Sequence, residues 1–137
     1  MSRDIILNKK ASMERCIAQA RAYYGRPSQE AFEKDFIRQD AIAINLQRAM
    51  ELPIDIANHL IKEKKLGLPR ESRESFALLE RAGVISQDLS RKLQGMVGFR
   101  NILVHEYQKL ELAIMIDVIE NRLGDLADFS TLVLQAM

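Results

Sequence analysis

Arg100, Asn101, His105 and Tyr107 lie close together in the chain and carry side chains suited to chemistry on a phosphate. Arginine keeps its charge at any working pH and can stabilise an anionic phosphorane. Histidine titrates near neutrality, so it can take or give a proton. A ribonuclease that works through the ribose 2′-hydroxyl needs little more, and no metal. Asn101 and His105 are four residues apart and so are neighbours on one side of a helix. His105 lies roughly 140° around the axis from Arg100, with Asn101 between them. One rigid element would therefore aim Arg, Asn and His into a single groove. The plainer alternative is an arginine in an interhelical salt bridge and a histidine at a helix end.

That element is a helix starting near residue 86. Leu89, Leu93, Met96, Leu103 and Tyr107 recur at the spacing of a buried stripe, and Arg100 takes the next place in the rhythm after Met96. Tyr107 then falls back on Arg100's side, two turns further on. Ser86 is the expected cap, with Asp88 in the first turn. Gly95 and Gly98 each cost a helix interior about 1 kcal/mol against Ala. Close approach of another helix, even across a two-fold axis, is the expected reason.

The other elements are also helical. A first helix is expected over residues 2–24, capped by Ser2, with Ile5, Ile6, Met13, Ile17, Ala20 and Tyr24 on its apolar face and Cys16 packed beside them. Gly25 and Pro27 should end it. A second helix is expected to start at Ser28 and to be kinked or split at Pro53. Its continuation carries Ile54, Ile56, Leu60 and Ile61 to about residue 65, and Asp55 and His59 are spaced to pair. Asp40, Asn45, Arg48, Glu51 and Asp55 interrupt this long element, and some of them are candidates to face the Arg100 groove. Around Gly67 and Pro69, Lys62, Lys64, Lys65, Arg70 and Arg73 outnumber Glu63, Glu71 and Glu74. This is either a solvated linker or a basic lip for RNA phosphates or an acidic partner. A short helix over residues 73–81 uses Phe76 and Leu79 and stops at Gly83. The last helix, over residues 110–134, carries Leu112, Ile116, Ile119, Leu123 and Leu126, with a bend at Gly124. The fold class expected is all-α: an up-down bundle of four main helices plus a short one.

Arg100, four residues, His105, one residue and Tyr107 resemble the R-x4-H-x-Y signature of HEPN-domain toxins. The likeness is greatest to their HepT-like branch, the partners of MntA-type minimal nucleotidyltransferases. Two further blocks carry it, one running from Asp40 through Asn45, Arg48, Glu51, Pro53, Asp55 and His59, the other from Arg70 through Phe76 and Glu80 to Gly83. Together the blocks span nearly the whole chain, so residues 1–137 are expected to form a single HEPN-like helical domain. The resemblance implies a homodimer whose two motif helices meet at a shared cleft. It implies an endoribonuclease toxin of a type II toxin–antitoxin pair that needs no metal and leaves 2′,3′-cyclic phosphate ends. Arg100 and His105 would be catalytic, Asn101 supporting, and Tyr107 the acceptor of AMP from a cognate nucleotidyltransferase antitoxin. A different class of function stays open: a non-catalytic module that binds a nucleotide or docks a nucleotidyltransferase.

Composition bounds these readings. At 137 residues the chain is long enough for a real core. A single cysteine excludes an internal disulfide framework and suits a reducing cytosol, so the cytoplasm is the expected location. Two histidines and one cysteine are too few soft ligands for a typical zinc site, and no cofactor is expected. No apolar run approaches the roughly 20 residues that span a bilayer, and the first residues lack the apolar core of a signal peptide. A net charge of +1 argues against a strong, non-specific nucleic-acid binder and weighs against the ribonuclease reading, although a local basic patch would serve.

Overall fold

A computed structural model describes residues 2–137, and among them every regular element is helical. Helix α1 (Ser2–Gly25) ends where Gly25 and Pro27 said it would, and it buries Ile6, Met13, Cys16, Ile17 and Ala20. Ser2 lies inside this helix rather than capping it. Ile5 turns away from the core and is exposed.

Helix α2 (Phe36–Lys64) starts later than expected and is kinked at most, not split. Ser28 does not begin it. A short 3-10 turn, Phe32–Lys34, comes first, and Asp35 is the cap, its side chain accepting from the Arg38 amide at 3.1 Å. Ser28 instead donates its hydroxyl to Asp35 Oδ2 at 3.2 Å. Pro53 does not split the helix, which runs through it unbroken. Proline removes one backbone donor, at a cost of about 3 kcal/mol in a helix interior. Buried Ala49 and Met50 before it, and Ile54, Ile56 and Ala57 after it, hold both halves on the same core and offset that loss. The helix stops at Lys65, which takes the left-handed conformation at φ 54°. Asp55 faces Lys9 of α1 at 3.8 Å rather than pairing with His59.

Helix α3 (Ser72–Arg81) is ended by Gly83 at φ 77°, where the Val84 amide reaches back to the Leu79 carbonyl at 3.0 Å. Helix α4 (Gln87–His105) starts at Ser86, whose hydroxyl accepts from the Leu89 amide at 3.1 Å. The last helical stretch is α5 (Leu112–Asp117), a π-helical turn Val118–Arg122, and α6 (Leu123–Gln135). The irregularity thus falls in the turn before Gly124 rather than at it.

Hydrogen bonds and ion pairs set the directions. Lys9 meets Asp55, and Arg38 donates to the Arg26 carbonyl, so α1 and α2 run antiparallel. Arg3 donates to the Leu134 carbonyl, Lys10 to Ser130 and Tyr24 to Glu120, so the C-terminal helix returns antiparallel along α1. Ser90 donates to the Phe76 carbonyl and Arg100 to Ser72, which makes α3 and α4 an antiparallel pair. Phe76 and Phe129, both fully buried, meet edge to face at 5.4 Å and lock α3 onto α6. Leu89, Leu93, Met96 and Leu103 pack into the same core, which fixes how far α4 can rotate and so where its polar residues point.

Candidate functional site

Helix α4 carries Arg100, Asn101 and His105 on one continuous α-helical segment. Arg100 is half-buried. Its Nη2 donates to Ser72 Oγ at 3.3 Å, across the start of α3, and its Nε is buried without a hydrogen-bond partner. No carboxylate pairs with it among the described residues. The interhelical salt bridge that was the plain alternative is therefore not there. A guanidinium withdrawn from water and opposed only by a neutral hydroxyl is costly, unless an anion completes its environment. Asn101 and His105 are both exposed, one turn apart on the same side of α4.

Tyr107 departs from the sequence reading. The helix ends at His105. Glu106, at φ −139° and ψ 40°, leaves the helical path, and Tyr107 opens a 3-10 turn, Tyr107–Lys109. Its direction is thus set by tertiary contact and not by the stripe of α4. The phenol hydroxyl donates to Asp40 Oδ1 of α2 at 2.6 Å. Burial first, then this hydrogen bond and the charge of the carboxylate, hold the Tyr107 pKa well above the ordinary tyrosine range. Asp40, Ala43, Ile44, Gln47, Leu103 and Tyr107 line a shallow groove of about 220 Å³. Larger clefts, of about 480 Å³ beside Leu68 and about 270 Å³ between α4 and the C-terminal helix, contain neither Arg100 nor His105.

The structure therefore brings the four sequence-derived residues to one end of α4, but in two arrangements. Arg100, Asn101 and His105 ride on the helix itself, while Tyr107 leans across to α2. Of the polar residues that interrupt α2, Asp40 is the one that reaches the motif, and it meets Tyr107 rather than Arg100. Gly98 is approached by the side chain of Arg73 from α3, and Gly95 has no close neighbour within the chain. His59 is half-buried in α2, with Nε2 lacking a partner. No group of His, Cys, Asp and Glu among the described residues could hold a metal ion, and none of the helices is long and apolar enough to cross a membrane.

Comparison with known proteins gives consistent matches across the chain. The family described as Ribonuclease HepT-like matches residues 13–133. The mRNA nuclease HepT of Shewanella oneidensis is 48% identical over 126 residues, which cover 92% of this chain and 93% of that protein. Among solved structures, one of a toxin–antitoxin with AMP-PNP superposes with a TM-score of 0.89 at 46% identity, covering 98% of this chain and 99% of the other. Another, of a tri-AMPylated Shewanella oneidensis HEPN toxin in complex with MNT antitoxin, has the same TM-score and identity and covers 98% of both chains. The stretch matched includes α4, the turn that carries Tyr107 and the Asp40 face of α2, so the chain belongs to the HepT-like ribonuclease family.

Proposed function

We propose that this protein is the toxin of a type II toxin–antitoxin pair and acts as a metal-independent endoribonuclease. The observation that carries the reading is Arg100: a half-buried guanidinium, held by Ser72, with an unpartnered Nε and no carboxylate. Such a group is poised to receive a phosphate oxygen. His105, exposed and on the same element, supplies the proton transfer. In the reaction the ribose 2′-oxygen gives its proton to a base and attacks phosphorus. The bond to the 5′-oxygen breaks, that oxygen takes a proton from an acid, and a 2′,3′-cyclic phosphate remains. Arg100 stabilises the charge that builds on the non-bridging oxygens. Asn101 orients the phosphate or His105.

One histidine per chain near the site leaves base and acid roles to be divided. A homodimer with two motif helices at a shared cleft meets that need. Exposed Phe36, Ile37 and Ile44 on α2 and Val104 on α4 support a partner surface around the motif. The antitoxin is a minimal nucleotidyltransferase that transfers AMP to Tyr107. Support comes from the AMPylated relative in its complex and from the position of the phenol at the rim of an open groove.

The test is cleavage of total RNA in EDTA by wild type, Arg100→Ala and His105→Ala. Wild type should cut and leave cyclic phosphate ends, and each variant should lose cleavage while keeping its helical circular dichroism. Cleavage at the wild-type rate by either variant refutes the mechanism. No cleavage by any of them, with nucleotide binding detected, favours the non-catalytic module, which the near-neutral charge of +1 supports.

A further inference from the structure

Gly98 lies one turn before Asn101, and Gly98, Asn101 and His105 follow one another at i, i+3 and i+7 on one face of α4. A methyl group built on Gly98 would come within 2.7 Å of Arg73 Nη2 and 3.8 Å of Arg73 Cζ. The close atom is the tip of a flexible side chain, so a methyl group there would shift the guanidinium at little cost, while glycine lets it lie against α4. Gly95 gives the contrast, because a methyl group there would meet nothing within 4 Å. The two glycines cost the helix similar amounts, about 1 kcal/mol each. Only one of them makes room for a cation.

Arg73 is exposed, and no carboxylate pairs with it among the described residues. It follows Ser72, which holds Arg100, and its guanidinium lies from α3 against Gly98 of α4. A positive charge placed there and not neutralised by an acid is available to an anion. Seven residues of helix separate Gly98 from His105, about 10 Å along the axis. That is too far for the phosphate on which His105 acts, and it suits a phosphate further along a single strand lying on the same face.

We propose that Arg73, seated on Gly98, binds a phosphate flanking the scissile one and so forms a second phosphate subsite for single-stranded RNA. The inference rests on the ribonuclease reading of Arg100 and His105. It gives Arg73, one of the basic residues around the start of α3, a defined use. It also explains how a chain with a net charge of +1 can hold RNA: two cations from different elements are aimed at one strand.

The experiment first maps a cleavage site on total RNA with wild-type protein. It then uses a fluorescent oligoribonucleotide spanning that site and the dinucleotide of the same site. Arg73→Gln should raise KM on the oligonucleotide by about 5-fold, with kcat nearly unchanged. It should cleave the dinucleotide, which has no flanking phosphate, as wild type does. Binding measured against salt in a His105→Ala background should lose about 0.7 from the slope of log affinity on log salt when Arg73→Gln is added, the value for one phosphate contact on a single strand. Arg73→Lys should recover part of the affinity. An unchanged salt slope and KM for Arg73→Gln overturns the subsite. Equal loss on the dinucleotide also overturns it, because Arg73 would then act at the scissile phosphate or on the fold. If Arg73→Gln cleaves as wild type does, only the subsite falls and the ribonuclease reading stands. If wild type cuts no RNA, both fall.

Discussion

Replacing Asp40 or Tyr107 tests what holds the tyrosine of the motif. The phenol hydroxyl donates to Asp40 Oδ1 at 2.6 Å, which is short enough for a charge-assisted bond. Such bonds contribute about 1.5–3 kcal/mol when buried. Tyr107 is 37% exposed and Asp40 is exposed as well, so solvent screening reduces the figure to about 1 kcal/mol. A double-mutant cycle of Asp40→Ala and Tyr107→Phe, read by chemical denaturation, should give a coupling near that value, with each single variant melting about 3–4 °C below wild type. The pH dependence supplies a second reading. The Tyr107 pKa is raised, so the folded state holds this proton more tightly than the unfolded chain, where tyrosine titrates near pH 10. The stabilisation is complete below about pH 10 and is lost as pH rises above it, because the unfolded phenol ionises while the folded one does not. The stability gap between wild type and Tyr107→Phe should therefore narrow above about pH 10. A coupling under ~0.3 kcal/mol, or a gap that stays constant through that range, would refute the argument.

Two further predictions concern the frame around the site. Gly83 holds φ 77° at the end of α3, so Gly83→Ala should cost about 1–2 kcal/mol, seen as a lower denaturation midpoint with an unchanged slope. Phe129 is fully buried against Phe76, so Phe129→Ala should cost about 3–5 kcal/mol and loosen α3 from α6, measurable as faster amide exchange in α3.

How far the sequence could be read depended on whether the deciding interaction was local. The end of α1 at Gly25, the Ser86 cap and the stripe of Leu89, Leu93, Met96 and Leu103 rest on neighbours within a turn or two, and they came out as expected. Arg100 was legible as an interruption of that stripe. What it pairs with was not, since Ser72 lies 28 residues away. The start of α2 misled because Ser28 follows Pro27 as a cap should, yet its hydroxyl is used on Asp35, which caps instead. Pro53 does not split α2 because buried residues on both sides hold its two halves on one core, which local propensity does not show. Tyr107 was placed by extending a helical period past the point where the helix stops. Two residues of non-helical backbone suffice to redirect a side chain, and Asp40, 67 residues away, decided where it went. The π-helical turn at Val118–Arg122 had no local signature beyond the nearby Gly124.

The contact between Tyr107 and Asp40 also determines what modification of the tyrosine would do. In transfer of AMP, the phenol oxygen bonds to the α-phosphorus of ATP, the bond to pyrophosphate breaks, and the phenol proton is released. The product oxygen is an ester and can no longer donate, so the 2.6 Å hydrogen bond is lost. The new phosphodiester brings one negative charge to within ~5 Å of the Asp40 carboxylate, a repulsion of about 3 kcal/mol at an effective dielectric of 20. The adduct must therefore swing away from α2. A cation such as Arg100, on which the proposed RNA substrate also depends, would relieve its charge. Modified wild-type protein should accordingly melt about 3–4 °C below the unmodified form. Modified Asp40→Ala should lose nothing against its own unmodified form, having neither the bond nor the repulsion. Intact mass after incubation with the cognate nucleotidyltransferase, ATP and Mg²⁺ establishes the modification, and Tyr107→Phe should gain none. The same mass gain on Tyr107→Phe would move the modification to another residue. An unchanged melting temperature for the modified wild type would mean that the phenol–carboxylate contact is not what the adduct displaces.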